Sequence, residues 1–125
     1  MSLHEYIRRL REGIHLLDKY GYTESIQIKE EIRPNKQAVV NAKVVLFNGS
    51  ALYIKEYIDA KYKINRVAYA NKFNDRNGNV MFRYDDAVHK PALGFSAHKH
   101  NSDGTIEDIG LPDIFNLVDE MIGYL

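Results

Sequence analysis

The strongest constraint on the fold is an alternation of apolar and polar residues that begins at Ser25. Such alternation places one side of an extended chain in a core and the other in solvent, as in a β-strand. The connections are too short for the crossovers that parallel strands need, so consecutive strands should pair antiparallel. Five strands are predicted: one from Ser25, then Gln37–Phe47, Ala51–Asp59, Tyr62–Phe73 and Val80–Tyr84.

Helical patterns flank these strands. Ser2 and Glu5 form a capping-box pattern before apolar residues with helical spacing, which continue until Gly21. Pro112 is predicted as the first residue of a second helix with a broad apolar face. The segment Thr105–Ile109 is compatible with a short edge strand. We therefore predict an α+β fold with an N-terminal helix, a five-stranded curved antiparallel β-meander and a C-terminal helix.

Composition limits the class of protein. A chain of 125 residues with 45% apolar residues can bury one core, so residues 1–125 are predicted to form a single domain. The absence of cysteine excludes disulfides and fits a reducing compartment. No apolar run approaches the roughly 20 residues of a membrane span, and no signal region is present. We expect a cytoplasmic protein that makes no contact with membranes.

The zero net charge hides an uneven distribution. Residues 1–100 carry 17 Lys/Arg and 11 Asp/Glu, whereas residues 101–125 carry six Asp/Glu and no Lys/Arg, so the two parts have charges of +6 and −6. A basic body can attract nucleic acid or an acidic partner, and the acidic segment could cover that surface or dock onto something basic. A mixed, solvated surface is the alternative interpretation.

The stretch from Met81 to His100 is rich in side chains that can perform chemistry, because it holds three of the five histidines. If the chain is extended there, His98 and His100 point to one side and Lys99 to the other. Two such histidines can share a metal or a phosphate. The alternative is a polar loop with incidental histidines.

Three polar side chains near the end of the fifth strand could join this site. Arg83 and Tyr84 are predicted where side chains emerge at the edge of a pocket, and arginine can clamp a phosphate with two hydrogen bonds. Asp85 can join them or cap the following turn.

Glu56 is in phase with the apolar residues of the third strand, so it is either buried or lies in a cleft. A buried, unpaired carboxylate is costly, which leaves a core ion pair with Arg66 or Arg83 and a catalytic role as alternatives. Tyrosines on the predicted strands pack in the sheet or offer a stacking platform for bases. These tyrosines are Tyr53, Tyr57, Tyr62 and Tyr69.

Two runs, Phe82–Pro91 and His98–His100, resemble the TumE family of toxin–antitoxin toxins. That family typically has Phe-Arg-Tyr-Asp-Asn-Ala-Pro-His-His-Pro followed by His-His-Lys-His. The likeness extends back through Leu52–Tyr57 and the Asp75–Gly78 turn, and covers about residues 25–125. The retained family residues are Glu56, Arg83, Tyr84, Asp85, His89, His98, Lys99 and His100. The departures are Lys72, Lys90 and Ala97 in place of histidine, and Asp86 in place of asparagine.

The resemblance implies a small cytoplasmic toxin that acts on RNA or another nucleotide target and is neutralised by a helix-turn-helix antitoxin. The residue types favour metal-independent RNA cleavage without a cofactor, in which one histidine acts as base and another as acid. Either His98 or His100 would be one partner and His89 the other, while Arg83 and Lys99 stabilise the charged transition state. The candidate catalytic set is His89, His98, His100, Arg83, Lys99 and Glu56; the candidate substrate-binding set is Tyr84, Asp85, Arg66 and Lys72.

Other functions remain open from the sequence. His89, His98, His100 and either Asp85 or Asp86 have the ligand types of a divalent metal site. A non-catalytic module that binds protein or RNA, or a degenerate toxin relative, is a further alternative. An exposed edge strand can also pair in a homodimer.

Overall fold

The computed structural model of the chain describes residues 1–86 and 97–125. These described residues form two helices and seven strands. In chain order these are α1 (Leu3–Lys19), β1 (Thr23–Arg33), β2 (Gln37–Leu46), β3 (Ala51–Asp59), β4 (Asn65–Asn74), β5 (Val80–Asp85), β6 (His98–Asn101), β7 (Ile106–Glu107) and α2 (Ile114–Ile122).

The seven strands form one antiparallel sheet in which each strand pairs with the next along the chain. The predicted antiparallel α+β fold with a helix at each end is confirmed, but the predicted number of five strands is wrong. The prediction omitted β6 because its sequence, His-Lys-His-Asn, has no apolar residue to alternate. The segment Thr105–Ile109, which the sequence allowed as a short edge strand, does contain the two-residue strand β7.

Two predicted boundaries also move. The fourth strand begins at Asn65 rather than at Tyr62. Pro112 does not begin the second helix, because the side chain of Asp113 accepts a hydrogen bond from the backbone N–H of Phe115 and caps the helix instead. The helix therefore begins at Ile114.

Local sequence explains the remaining ends. Ser2 and Glu5 form the predicted capping box of α1. Between β1 and β2 the chain turns at Asn35 and Lys36, which have φ angles of 65° and 56°. The register pairs Arg33 with Gln37, so this connection has three residues, and its last two adopt the left-handed conformation that asparagine tolerates better than most residues.

Both described helices pack on the same face of the sheet, called here the helix face. The hydroxyl of Tyr6 in α1 donates to Glu56 of β3, and the hydroxyl of Tyr84 in β5 donates to Glu120 of α2. The core lies between these layers. Its most completely buried side chains include Ile7, Ile14, Leu17, Leu46, Leu52, Ile58, Phe73, Phe82, Leu117 and Met121.

Because side chains alternate along a strand, every second residue points away from the helices. The surface formed by these residues is called here the distal face. The strand register decides which side chains meet on it.

Candidate active site on the distal face of the sheet

The antiparallel pairing of β5 with β6 brings four predicted site residues together. Asp85 is opposite His98, and Arg83 is opposite His100. All four side chains belong to the distal face, whereas Tyr84 and Lys99, which also pair with each other, belong to the helix face. We call Arg83, Asp85, His98 and His100 the His-Asp cluster.

The polar atoms of the His-Asp cluster converge. Nε2 of His98 is 2.6 Å from Oδ1 of Asp85 and 3.1 Å from Nε2 of His100. The second carboxylate oxygen, Oδ2, is 2.6 Å from Nε of Arg83 and 3.7 Å from Nε2 of His100. Among the described residues Arg83 Nε has no acceptor in line with its N–H, so this short contact is an ion pair rather than a directed hydrogen bond.

Burial divides the cluster into two pairs. His98 is 0% exposed and Asp85 3%, whereas the side chains of His100 and Arg83 are 27% and 43% exposed. The exposed pair can contact a ligand from solvent. Asp85 and His98 can fix the positions of Arg83 and His100, since an ionised carboxylate makes strong hydrogen bonds and ion pairs with imidazole and guanidinium groups.

The cluster also has the composition of a metal site. The ligand atoms of Asp85, His98 and His100 all lie within 4.8 Å of one another. Imidazole and carboxylate are common ligands of zinc and manganese. His89, which the sequence prediction included in this set, lies outside the described residues.

Two rows of side chains extend from the cluster across the distal face. The register aligns His100, Arg83, Lys72, Tyr53, Lys43 and Gln27 in one row, from β6 to β1. The neighbouring row consists of His98, Asp85, Ala70, Lys55, Asn41 and Lys29.

On strands β1 to β5 these rows line a concavity of about 790 Å³, which reaches Arg83 of the cluster but not Asp85, His98 or His100. Its cations are Lys29, Lys43, Lys55, Lys72 and Arg83, and we call this set the basic face. The sequence prediction included only Lys72 and Arg83. The available signal was a lysine in the solvent-facing phase of successive strands, but only the register shows that these lysines share a surface.

Four other predicted site residues lie on the helix face. Tyr84 and Lys99 both bind Glu120 of α2, with Lys99 Nζ 2.8 Å from its carboxylate. Burial and the Glu120 carboxylate raise the pKa of Tyr84 to about 12. These contacts attach β5 and β6 to the C-terminal helix.

Glu56 is buried, with 1% exposure, and accepts hydrogen bonds from the Tyr6 hydroxyl and from Asn71 Nδ2. Its hydrogen-bond partners are therefore a tyrosine and an asparagine, and neither Arg66 nor Arg83 forms the alternative ion pair with it. Burial raises the pKa of Glu56 above its ordinary value. A carboxyl group with a raised pKa needs no buried cation, which explains why two neutral donors suffice.

The two predicted ion-pair partners of Glu56 are engaged elsewhere. Arg66 donates to the backbone carbonyls of Leu111 and Pro112, at 3.0 and 3.2 Å. Arg83 faces the opposite side of the sheet and contacts Asp85. Arg66 therefore attaches β4 to the segment before α2.

The acidic C-terminal part does not lie over the basic face. Its helix α2 packs on the helix face, where Glu120 holds Tyr84 and Lys99. The basic and acidic parts of the sequence are thus partly separated in the fold, with lysines on the distal face and Glu120 on the helix face.

Comparison with known families then identifies the group to which the chain is related. A family model described as Toxin TumE matches residues 14–125, a range that includes the whole His-Asp cluster. The chain belongs to the TumE toxin family. The resemblance carried by the motifs around Arg83 and His98 is thereby confirmed. No curated protein and no solved structure matches the chain.

TumE membership supports a role as the toxin component of a toxin–antitoxin pair, and so an antitoxin partner in general. Within the part of the chain that the structure describes, no helix has the length and apolar character needed to cross a membrane.

Proposed function

We propose that this TumE-family toxin cleaves RNA by acid–base catalysis at the His-Asp cluster, without a metal. The observation that carries the proposal is the register of β5 and β6. It brings Arg83, Asp85, His98 and His100 together on the distal face, directly beside the lysines of the basic face.

The exposures of the cluster residues suggest their roles. His100 is partly exposed and would exchange a proton with the substrate, while Arg83 would stabilise negative charge on the phosphate. His98 is buried and would position His100 through the contact between their Nε2 atoms. Asp85 would in turn hold His98. His89 as the second acid–base group stays a prediction.

The proposed reaction follows from these groups. A histidine acting as base removes the proton of the ribose 2′-OH, and O2′ then attacks the phosphorus. The bond from phosphorus to the 5′ oxygen breaks, and a protonated histidine supplies the proton that this oxygen takes. The products are a 2′,3′-cyclic phosphate and a 5′-hydroxyl. Each histidine would contribute roughly 10²–10⁴-fold to the rate.

Four residues of the predicted site receive structural roles in this proposal. The side chains of Glu56, Arg66, Tyr84 and Lys99 face the helices rather than the cluster. Lys72 takes the place of Lys99 as the second cation, because it is opposite Arg83 on the same face.

A metal-dependent phosphoesterase is the second candidate, and one observation favours it. The Nε2 of a neutral imidazole is either a donor or an acceptor, yet His98 Nε2 approaches both Asp85 and His100. Ligands about 2.1 Å from a tetrahedral zinc are about 3.4 Å apart, near the 3.1 Å between the two Nε2 atoms. Asp85, His98 and His100 would hold the ion, which would supply Lewis-acid chemistry or an activated water.

The partner in either case is proposed to be a helix-turn-helix antitoxin in the cytoplasm. A non-catalytic binding module is the alternative to both enzymes. Unrestricted expression in a host separates these functions, because a toxin stops growth whereas a binding module is tolerated.

The deciding experiment incubates the purified protein with total cellular RNA, with and without chelator, and identifies the chemistry of the new ends. We expect chelator-resistant cleavage that leaves 2′,3′-cyclic phosphates and is lost in His100→Ala and His98→Ala. His15→Ala serves as the matched control, because His15 is exposed on α1.

Each alternative gives a different result in this experiment. Cleavage that stops with chelator and is restored by zinc or manganese would replace the first mechanism by the metal-dependent one. RNA that stays intact under all conditions would reject both enzymes.

A further inference from the structure

We propose that the basic face binds single-stranded RNA, with Tyr53 as a stacking platform for a base. This inference rests on the proposed function, because it makes the basic face the substrate-binding surface of the His-Asp cluster. It adds to the proposed function the class of RNA that is bound and the residues of β1 to β4 that bind it.

The lining of the concavity is positively charged. Among the described residues that line the concavity there are five cations and no carboxylate. The cations are the residues of the basic face, on strands β1 to β5. Such a surface suits a flexible polyanion, whose phosphates release counterions when they bind lysine and arginine.

Two acidic groups in the same strand phase as the basic face are already paired. Glu31, at the outer end of β1, is held by Arg33 at 3.2 Å. Asp85 contacts Arg83 and His98. The lysines in the middle of the sheet therefore keep their positive potential.

One row of the distal face runs from the His-Asp cluster across the strands. Lys43 on β2 and His100 on β6 belong to one row of directly opposed residues. Neighbouring strands are about 4.8 Å apart, so the four spacings between β2 and β6 cover about 19 Å. A strand of RNA along this row would have one phosphate at Arg83 and His100 and its neighbours over Lys72 and Lys43.

Tyr53 lies among the lysines of the basic face. Its ring lies between two cations of the row, with Lys72 Nζ at 5.0 Å and Lys43 Nζ at 5.7 Å from the ring centre. An aromatic ring among lysines is the combination by which proteins bind single strands, since bases stack on the ring while cations follow the backbone. A duplex keeps its bases stacked and would leave Tyr53 unused.

The test measures binding separately from cleavage. The probe is a fluorescent 2′-O-methyl RNA of about 12 nucleotides, within the usual range of about 4–16 nucleotides for a single-strand site. It lacks the 2′-hydroxyl needed for cleavage, so fluorescence anisotropy reports binding alone. Affinity is measured over a range of salt concentrations for the wild-type chain and the variants.

Two kinds of variant examine the charge and the ring. Lys43→Gln/Lys72→Gln should weaken binding and reduce the slope of log Kd against log salt by about 1.4, or about 0.7 per lost contact. Lys19→Gln/Lys61→Gln removes the same charge outside the basic face and should change neither the affinity nor the slope. Tyr53→Leu should weaken binding about 10-fold, whereas Tyr53→Phe should not.

The outcomes separate this inference from the proposed function. If the oligonucleotide binds through Lys43 and Lys72 but cellular RNA stays intact, the cleavage function fails and the binding surface stands. If both double variants bind alike while cellular RNA is cleaved, the binding surface is rejected and cleavage stands. If the surface binds the antitoxin through Lys43 and Lys72 but no RNA at low salt, it is a protein interface and this inference is overturned.

Discussion

At the scale of single residues, Asp85 has the most consequential position in the His-Asp cluster. It is almost fully buried, and its two oxygens contact different partners, His98 and Arg83. An asparagine has nearly the same shape, but its amide carries no charge and its nitrogen cannot accept from either partner. One substitution at this position can therefore disturb both the exposed cation and the buried histidine.

We predict that Asp85→Asn lowers the rate of RNA cleavage by about 10²-fold or more, because His98 loses the group that orients it. The adjacent substitution Asp86→Asn is the matched control. Asp86 Oδ1 accepts a hydrogen bond from the backbone N–H of Tyr69, which an asparagine oxygen can also accept. Initial rates on one RNA give the comparison, and equal loss in both variants would contradict a special role for Asp85.

Glu56 provides a second prediction, in which pH is the variable. Burial raises the pKa of Glu56 above 4.5, although the hydrogen bonds from Tyr6 and Asn71 oppose the shift. The folded state thus binds this proton more tightly than the unfolded state. The resulting stabilisation is complete below pH 4.5 and is lost as the pH rises through the folded-state pKa.

We therefore expect the free energy of unfolding to decrease more between pH 4.5 and neutral pH in the wild type than in Glu56→Gln. Urea unfolding of both proteins across this range measures the difference, since their other titrating groups are shared. Parallel curves for the two proteins would show that Glu56 titrates normally.

At the scale of elements, regular patterns were predictable and register-dependent contacts were not. The capping box at Ser2 and the alternation along β2 and β3 identify those elements from neighbouring residues alone. In contrast, β6 has no apolar residue, and its identity as a strand depends on pairing with β5. The opposite directions of His98 and Lys99 followed from the sequence only if that piece was extended. Contacts between distant residues, such as Tyr6 with Glu56, have no local signal.

The contact between the two helices gives a prediction at this scale. Gly13 is buried in α1, and a Cβ placed there would lie 2.7 Å from Cγ1 of Ile114 at the start of α2. We expect Gly13→Ala to lower the free energy of unfolding by about 1–3 kcal/mol through this overlap. The better helix propensity of alanine, worth about 1 kcal/mol, offsets only part of that loss.

Urea unfolding of Gly13→Ala, Ile114→Ala and the double variant tests this explanation. Ile114→Ala removes the clashing Cγ atoms, so Gly13→Ala should cost less in that background than in the wild type. Additive effects, or a single variant more stable than the wild type, would contradict it.

At the scale of the whole molecule, the main property is the separation of charge. The formal net charge is zero, yet the basic face and the Glu120 side of α2 lie on opposite sides of the sheet. Exposed charges interact over about 10 Å at 0.1 M salt, so a charged partner can bind one side of the sheet while the charges on the other side are screened from it.

We predict that the protein is retained on a cation exchanger at pH 7 and low salt despite its zero net charge. Lys43→Gln/Lys72→Gln should elute at lower salt than Lys19→Gln/Lys61→Gln, although both variants lose the same charge. Coincident elution of the two variants would mean that the positive charge is not concentrated on the basic face.

The strict chain order of the sheet has a consequence for how the protein is made. Domains tend to form from the N-terminus during translation, and in this sheet each strand pairs with the one synthesised just before it. The lysines of β1 to β4 are therefore in place before β6, which carries His98 and His100, and the helix α2 that holds Lys99 follows β6. Under the proposed function, the ribosome translating this protein would meet the completed His-Asp cluster only after β6 has been synthesised and paired with β5.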